Sequence, residues 1–110
     1  MHLAEKEIRI DPKTDRALDD VETRTYLGHL SPSWTVVSQH HLHATYTFPD
    51  FKEALAFINA VGALAEAAQH HPDCMLGWGR VEIKLWTHDI GGLHLADFIL
   101  AARIDRIQLG

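Results

Sequence analysis

The stretch that decides the fold runs from Glu66 to Asp97 and reads EAAQHHPDCMLGWGRVEIKLWTHDIGGLHLAD. It opens on the end of an apolar helix, passes two adjacent imidazoles at His70 and His71, and meets Pro72. A proline disfavours α geometry in the residue before it, so the helix has to stop there. Beyond it, Met75 to Trp78 reads as a short strand, Gly79-Arg80 as a tight turn, and Val81 to Thr87 as a longer strand. On that strand Val81, Ile83, Leu85 and Thr87 share one face, while Glu82, Lys84, Trp86 and His88 share the other. Gly91-Gly92 gives a flexible corner, and Leu95, Phe98, Ile99, Ala102 and Arg106 mark a last helix running to about Ile107.

Upstream, Phe51, Ala54, Leu55, Ile58, Val61, Leu64, Ala65 and Ala68 recur at helical spacing, which predicts a helix from about Phe51 to His70. Asp50 serves as its N-cap, with Glu53 completing a capping-box pattern. Before that, Trp34 to Ser38 is rich in strand formers, and Leu42 to Phe48 alternates with Leu42, Ala44, Tyr46 and Phe48 on one face. The two form a hairpin with its turn at or near Gln39 to His41. In the N-terminal segment, Glu7 to Ile10 alternates briefly as an edge strand or an ordered arm, and Asp19 or Asp20 can cap a short helix through Val21, Tyr26, Leu27 and Leu30.

The element order α-β-β-α-β-β-α predicts an α+β fold, a four-stranded antiparallel sheet covered on one face by helices. Residues 1–33 read as an arm with a short helix and residues 34–110 as the sheet-bearing domain, one compact domain overall. A small open sheet leaves edges, and edge pairing makes a homodimer or homotetramer an expectation.

Composition narrows the function classes. The apolar fraction of 46% suits a folded globular chain. No apolar run approaches the ~20 residues that span a bilayer, and the start, MHLAEKEIRIDPKTD, has no apolar core of a secretory signal, so a cytoplasmic protein is expected. The single cysteine, Cys74, excludes an intramolecular disulfide and a multi-cysteine zinc site, and reads as a small buried residue. A formal charge of -5 with scattered Lys and Arg disfavours direct nucleic-acid binding. Nine histidines are the one compositional oddity, and they direct attention to proton chemistry.

Three of them, His70, His71 and His88, converge on the decisive stretch with Glu66 one helical turn behind His70. At i and i+4, Glu66 and His70 share a helix face, where a carboxylate favours the imidazolium and can orient the ring. The competing reading is an exposed pair of negligible energy. A helix C-terminus by itself favours one cationic histidine, which leaves the second unexplained. The same residues are possible zinc ligands, but adjacent residues rarely both reach one tetrahedral ion, so no metal is expected. The HxH spacing of His41 and His43, beside His40, could hold a metal on a strand face, with an ordinary hairpin surface as the stronger alternative.

Glu66-x3-His70-His71-Pro72-x5-Trp78-x9-His88-x8-Asp97, with Thr87 to Leu93 and the helix Asp97 to Ala101, resembles the signature of the pterin-4a-carbinolamine dehydratase family over about Trp34 to Asp105. The resemblance implies an enzyme, a 4a-hydroxytetrahydrobiopterin dehydratase that converts 4a-hydroxytetrahydropterin to quinonoid dihydropterin in tetrahydropterin recycling. It implies an α+β fold pairing into dimers or tetramers, and the pterin as substrate rather than cofactor. It places His70, His71 and His88 around the pterin as catalytic residues. The chemistry of that step assigns the proton transfers to His70 and His88, pterin positioning to His71, and control of a neighbouring imidazole's charge to Glu66, and the resemblance adds Pro72 and Asp97 as supporting residues. Trp78 either borders the pocket or fills the core. Relatives include a transcription-factor dimerisation partner and rubisco assembly factors, so a binding or assembly protein is the alternative. Two departures stand out: His94 where a relative commonly has Ser or Thr, which predicts a weaker helix cap, and residues 1–33, which do not resemble the family's short N-terminus. Neither is expected to touch the chemical groups.

Overall fold

A computed structural model describes residues 2–108; Met1, Leu109 and Gly110, at the outer ends of the two stretches delimited above, lie outside the described residues. The elements are α1 (Asp20–Leu27), β1 (Trp34–Val37), β2 (His41–Thr47), α2 (Phe51–Ala68), β3 (Asp73–Gly77), β4 (Arg80–Leu85) and α3 (Leu95–Asp105), with short 3-10 turns at Leu3–Glu5 and His88–Ile90. The strands form one antiparallel sheet in the order β1-β2-β4-β3.

Alternation along the two central strands decides which face is buried. Leu42 and Ala44 on β2 and Val81, Ile83 and Leu85 on β4 are fully covered. They meet Ala54, Phe57, Val61 and Ala65 of α2 and Phe98, Leu100, Ala101 and Ile104 of α3 in one core. Burying each large side chain contributes about 1.5–3 kcal/mol, which makes this face the main source of stability. No helix among the described residues is long and apolar enough to cross a membrane.

Several boundaries differ from the sequence reading. The first turn is Ser38 to His40, with His41 already in β2; Ser38 and Gln39 both take positive φ, 51° and 54°. That conformation disfavours residues with a Cβ. It is held by the His40 N–H donating to the Val37 carbonyl and by the Gln39 amide donating to Thr23 Oγ1 at 2.7 Å, which ties the hairpin to α1. The second hairpin begins earlier than expected, at Asp73, and turns at Trp78-Gly79. Thr87 lies outside β4 and joins Gly92 through an isolated bridge.

Of the two readings of Glu7 to Ile10, the arm holds: no strand forms there among the described residues. The cap of α2 is half a box, with Asp50 accepting from the Glu53 N–H at 2.8 Å. Full capping boxes occur on α1, at Asp19 and Glu22, and on α3, at His94 and Asp97. Cys74, expected inside, is exposed, because β3 is the sheet's edge.

Candidate active site

The site is built where α2 ends, β4 ends and α3 begins. Helix α2 stops at Ala68, ahead of the expected end at about His70, because Gln69 adopts a left-handed conformation (φ 50°, ψ 40°). A non-glycine residue there costs energy; Gln69 offsets part of it by donating its amide to the Glu66 carbonyl at 2.8 Å. The left-handed step sends the next two residues in opposite directions. His70 turns inward and is 8% exposed, while His71 stays outside.

This reverses the expected pairing. Glu66 bonds His71 rather than His70, Oε2 to Nε2 at 2.8 Å, with both side chains more than half exposed. The bond from His71, followed by one from Gln69, holds the Glu66 carboxyl below the usual glutamate range. His70 instead meets Asp97 on α3, Nε2 to Oδ1 at 2.6 Å. Asp97 is fully buried and takes two more bonds on Oδ2, from Thr87 Oγ1 at 3.0 Å and from the His94 backbone N–H at 2.9 Å. Three donors converge on one carboxylate in a low-dielectric setting, so each bond is stronger than it would be at the surface. His70 Nε2 then carries the proton shared with Asp97, which leaves Nδ1 as the ring's acceptor nitrogen.

Thr87 connects this node to His88. Its hydroxyl fixes the backbone one residue before His88 against Asp97, and the Gly91 corner (φ 64°) closes the turn back to Gly92. The His88 ring stacks on Trp86 at 4.3 Å between centroids. The outer sheet face carries further imidazoles: His40 and His41 approach Nδ1 to Nδ1 at 3.1 Å beside Trp86, and His43 bonds Glu82 at 3.2 Å. His41 and His43 therefore have separate partners. Burial, with the neighbouring His40 charge behind it, pushes the His41 imidazole below its usual range. Among the described residues, no group of three or more His, Cys, Asp or Glu is arranged to hold a metal ion.

The structure thus brings His70, Asp97, Thr87 and the base of His88 together, with Pro72 and the Glu66-His71 pair at the same end of the sheet. It does not bring Trp78 there. Trp78 is 70% exposed at the β3-β4 turn, the far end of β4 from Thr87, so it neither fills the core nor borders this chain's His70. Sequence reading assigned no role to Thr87 beyond its buried face, and it misjudged His94. The His94 cap is intact: Nδ1 accepts from the Ala96 N–H at 3.0 Å, and its backbone N–H reaches Asp97 directly.

Comparison with known proteins bears on the fold and the family. A family model described as pterin 4 alpha carbinolamine dehydratase matches residues 16–107, reaching well upstream of Trp34. A Rubrobacter xylanophilus protein described as "Putative pterin-4-alpha-carbinolamine dehydratase" is 53% identical over 81 residues, covering 74% of this chain and 76% of its own. An Alkaliphilus metalliredigens protein of the same description is 45% identical over 91 residues, covering 83% and 82%. The crystal structure of a transcriptional coactivator/pterin dehydratase from Brucella melitensis superposes with a TM-score of 0.75 at 27% identity over 81% of this chain and 95% of that one. A pterin dehydratase-like protein identified as a RuBisCO assembly factor in the alpha-carboxysome gives 0.56 at 29% identity, over 66% and 86%. With its fold and most of its length matched, the chain belongs to the pterin 4 alpha carbinolamine dehydratase family.

Proposed function

We propose that this chain dehydrates 4a-hydroxytetrahydropterin to quinonoid dihydropterin in the cytoplasm, as a step of tetrahydropterin recycling. The observation that carries the reading is the buried His70-Asp97 pair, joined through Thr87 to the backbone of His88, in a chain of this family. In the reaction the C4a–O bond breaks and its electrons leave with the hydroxyl, which takes up a proton to become water. A ring nitrogen loses a proton, and the freed electron pair forms the new C=N bond. The step is redox-neutral, and its need is one acid and one base placed on a planar substrate.

His70 and His88 carry the two proton transfers. Asp97 fixes the His70 ring and favours its positively charged form as the proton arrives, the role a buried carboxylate plays beside a catalytic imidazole. His71, exposed and tethered by Glu66, positions the pterin, with Pro72 shaping the turn. The pterin is substrate and no cofactor takes part. The test is the rate of carbinolamine dehydration by wild type, His70→Ala and His88→Ala. Each substitution is expected to lower the rate by at least about tenfold.

A protein-binding role is the second reading, favoured by the two solved neighbours described as a coactivator/dehydratase and a RuBisCO assembly factor. Self-association belongs with either reading. The β3 edge exposes Met75, and the outer side of α2 exposes Phe51 and Leu55, surfaces that a homodimer or homotetramer would cover. Measurable turnover together with a pull-down free of stoichiometric partners retires the binding role.

A further inference from the structure

The N-terminal arm reaches the site through His94. His94 Nδ1 accepts the Ala96 N–H, so that nitrogen bears no proton. Nε2 must carry it, and bonds Asp15 Oδ2 at 2.8 Å. An imidazole can cap a helix this way only in the neutral Nε2–H tautomer, which needs an acceptor on its far side. A Ser or Thr at this position would need none. Asp15 supplies that acceptor and is itself fixed by the Asp11 N–H at 2.9 Å. That bond, followed by the one from His94, holds the Asp15 carboxyl below the usual aspartate range.

The arm is seated here by more than this pair. The Leu18 N–H donates to the Leu93 carbonyl at 2.8 Å. Ala17 lies so close to Gly92 that a Cβ on Gly92 would sit 2.9 Å from the Ala17 Cβ. The His94 side chain is only 13% exposed and that of Asp15 32%, so water is partly excluded from their bond. Continuous hydrogen bonding then runs from the arm to the proposed catalytic imidazole: Asp15 to the His94 ring, the His94 backbone N–H to Asp97 Oδ2, and Asp97 Oδ1 to His70.

We propose that Asp15 is a positioning residue for the dehydration, acting through the His94 tautomer and the α3 cap to hold Asp97 against His70. The proposal rests on the reading of His70 as a proton-transfer group. It gives Asp15, which lies just ahead of the family match beginning at residue 16, a task in the site, and it makes the His94 departure a coupled pair with Asp15 rather than a weakened cap.

The test compares Asp15→Ala, Asp15→Asn and Asp15→Ala in a His94→Ser background. Steady-state kinetics and the downfield NMR resonance of the His70 imidazole proton bonded to Asp97 are the readouts. Asp15→Ala is expected to lower kcat by about threefold to tenfold with little change in KM, and to shift or broaden the His70 resonance. Asp15→Asn, whose amide oxygen can still accept from His94, restores most of the loss. In the His94→Ser background the serine hydroxyl caps α3 without help from the arm, and Asp15→Ala causes no further loss. A purely structural arm would lower Tm and leave the kcat of the folded protein and the resonance alone. That result, or an equal loss in the His94→Ser background, overturns the proposal. If wild type shows no turnover, the dehydratase reading fails separately, and the His70 resonance still decides whether Asp15 sets the geometry.

Discussion

Helix α3 carries a carboxylate node at each end, and the two differ in what they accept from. At its start Asp97, fully buried, takes bonds from His70, from the Thr87 hydroxyl and from the His94 N–H. At its end Asp105 takes Ser31 Oγ, Trp34 Nε1 and Tyr46 OH on Oδ1 at 2.9 to 3.0 Å, and the Ser31 N–H on Oδ2 at 2.9 Å. Both pin α3 to distant parts of the chain. Only Asp97 holds an imidazole, a side chain that can both donate and accept a proton. At Asp105 the one titratable donor is Tyr46, whose phenol is pushed well above its ordinary value of 10.0, first by burial and then by the Asp105 charge. Under the proposed function, similar carboxylate geometry serves proton transfer at one end and anchoring at the other, and the donor set makes the difference.

The largest effect is expected at Asp97→Ala. It leaves the Thr87 hydroxyl, the His94 N–H and the His70 ring without their acceptor, each a cost of about 1–3 kcal/mol, and it frees the His70 ring. Stability by denaturant titration should fall by about 3 kcal/mol or more, and dehydration by about a hundredfold. Asp97→Asn rescues poorly, since its NH2 must face one of the donors. Asp105→Ala sharpens the contrast. Its Ser31 and Tyr46 donors are partly exposed and can turn to water, whereas the Trp34 N–H is buried, so about 2 kcal/mol of stability is lost, while kcat of the folded protein stays within about twofold. A catalytic defect as deep as that of Asp97→Ala would erase the distinction between the two ends.

Alkaline pH probes the anchoring end alone. Because the folded-state pKa of Tyr46 is raised, its contribution is complete below pH 10.0 and is lost as pH rises above that value. Thermal stability should fall on the alkaline side, and Tyr46→Phe, less stable at neutral pH, should flatten that limb. The smallest effect belongs to Glu66→Gln. The Glu66-His71 pair is exposed, and its depressed carboxyl contributes only above the ordinary glutamate range, fading as pH falls. No measurable change in Tm is expected, and the kinetic change should be the slightest of the series.

Much of this was legible in the chain. Period-two alternation from Leu42 to Phe48 and from Val81 to Thr87, and helical spacing from Phe51 onward, determined which faces meet in the core. The site was half legible, because its decisive contacts are not local. Spacing of i and i+4 pointed His70 at Glu66, but the left-handed Gln69 redirects it, and nothing marks Gln69 in advance since glycine is the usual signal for that conformation. The true partner, Asp97, lies 27 positions away, and the acceptor that makes His94 a competent cap lies 79 away. Cys74 read as buried because an unactivated lone cysteine commonly behaves as a small hydrophobe, but an edge position leaves it open.

The central claim is tested most directly by one rate comparison, the dehydration of 4a-hydroxytetrahydropterin at neutral pH by wild type and by His70→Ala, each set against the spontaneous reaction. The account predicts acceleration by wild type and at least about a tenfold loss on substitution, with the fold retained. A wild type no faster than the spontaneous reaction, or a folded His70→Ala protein as fast as wild type, would contradict it.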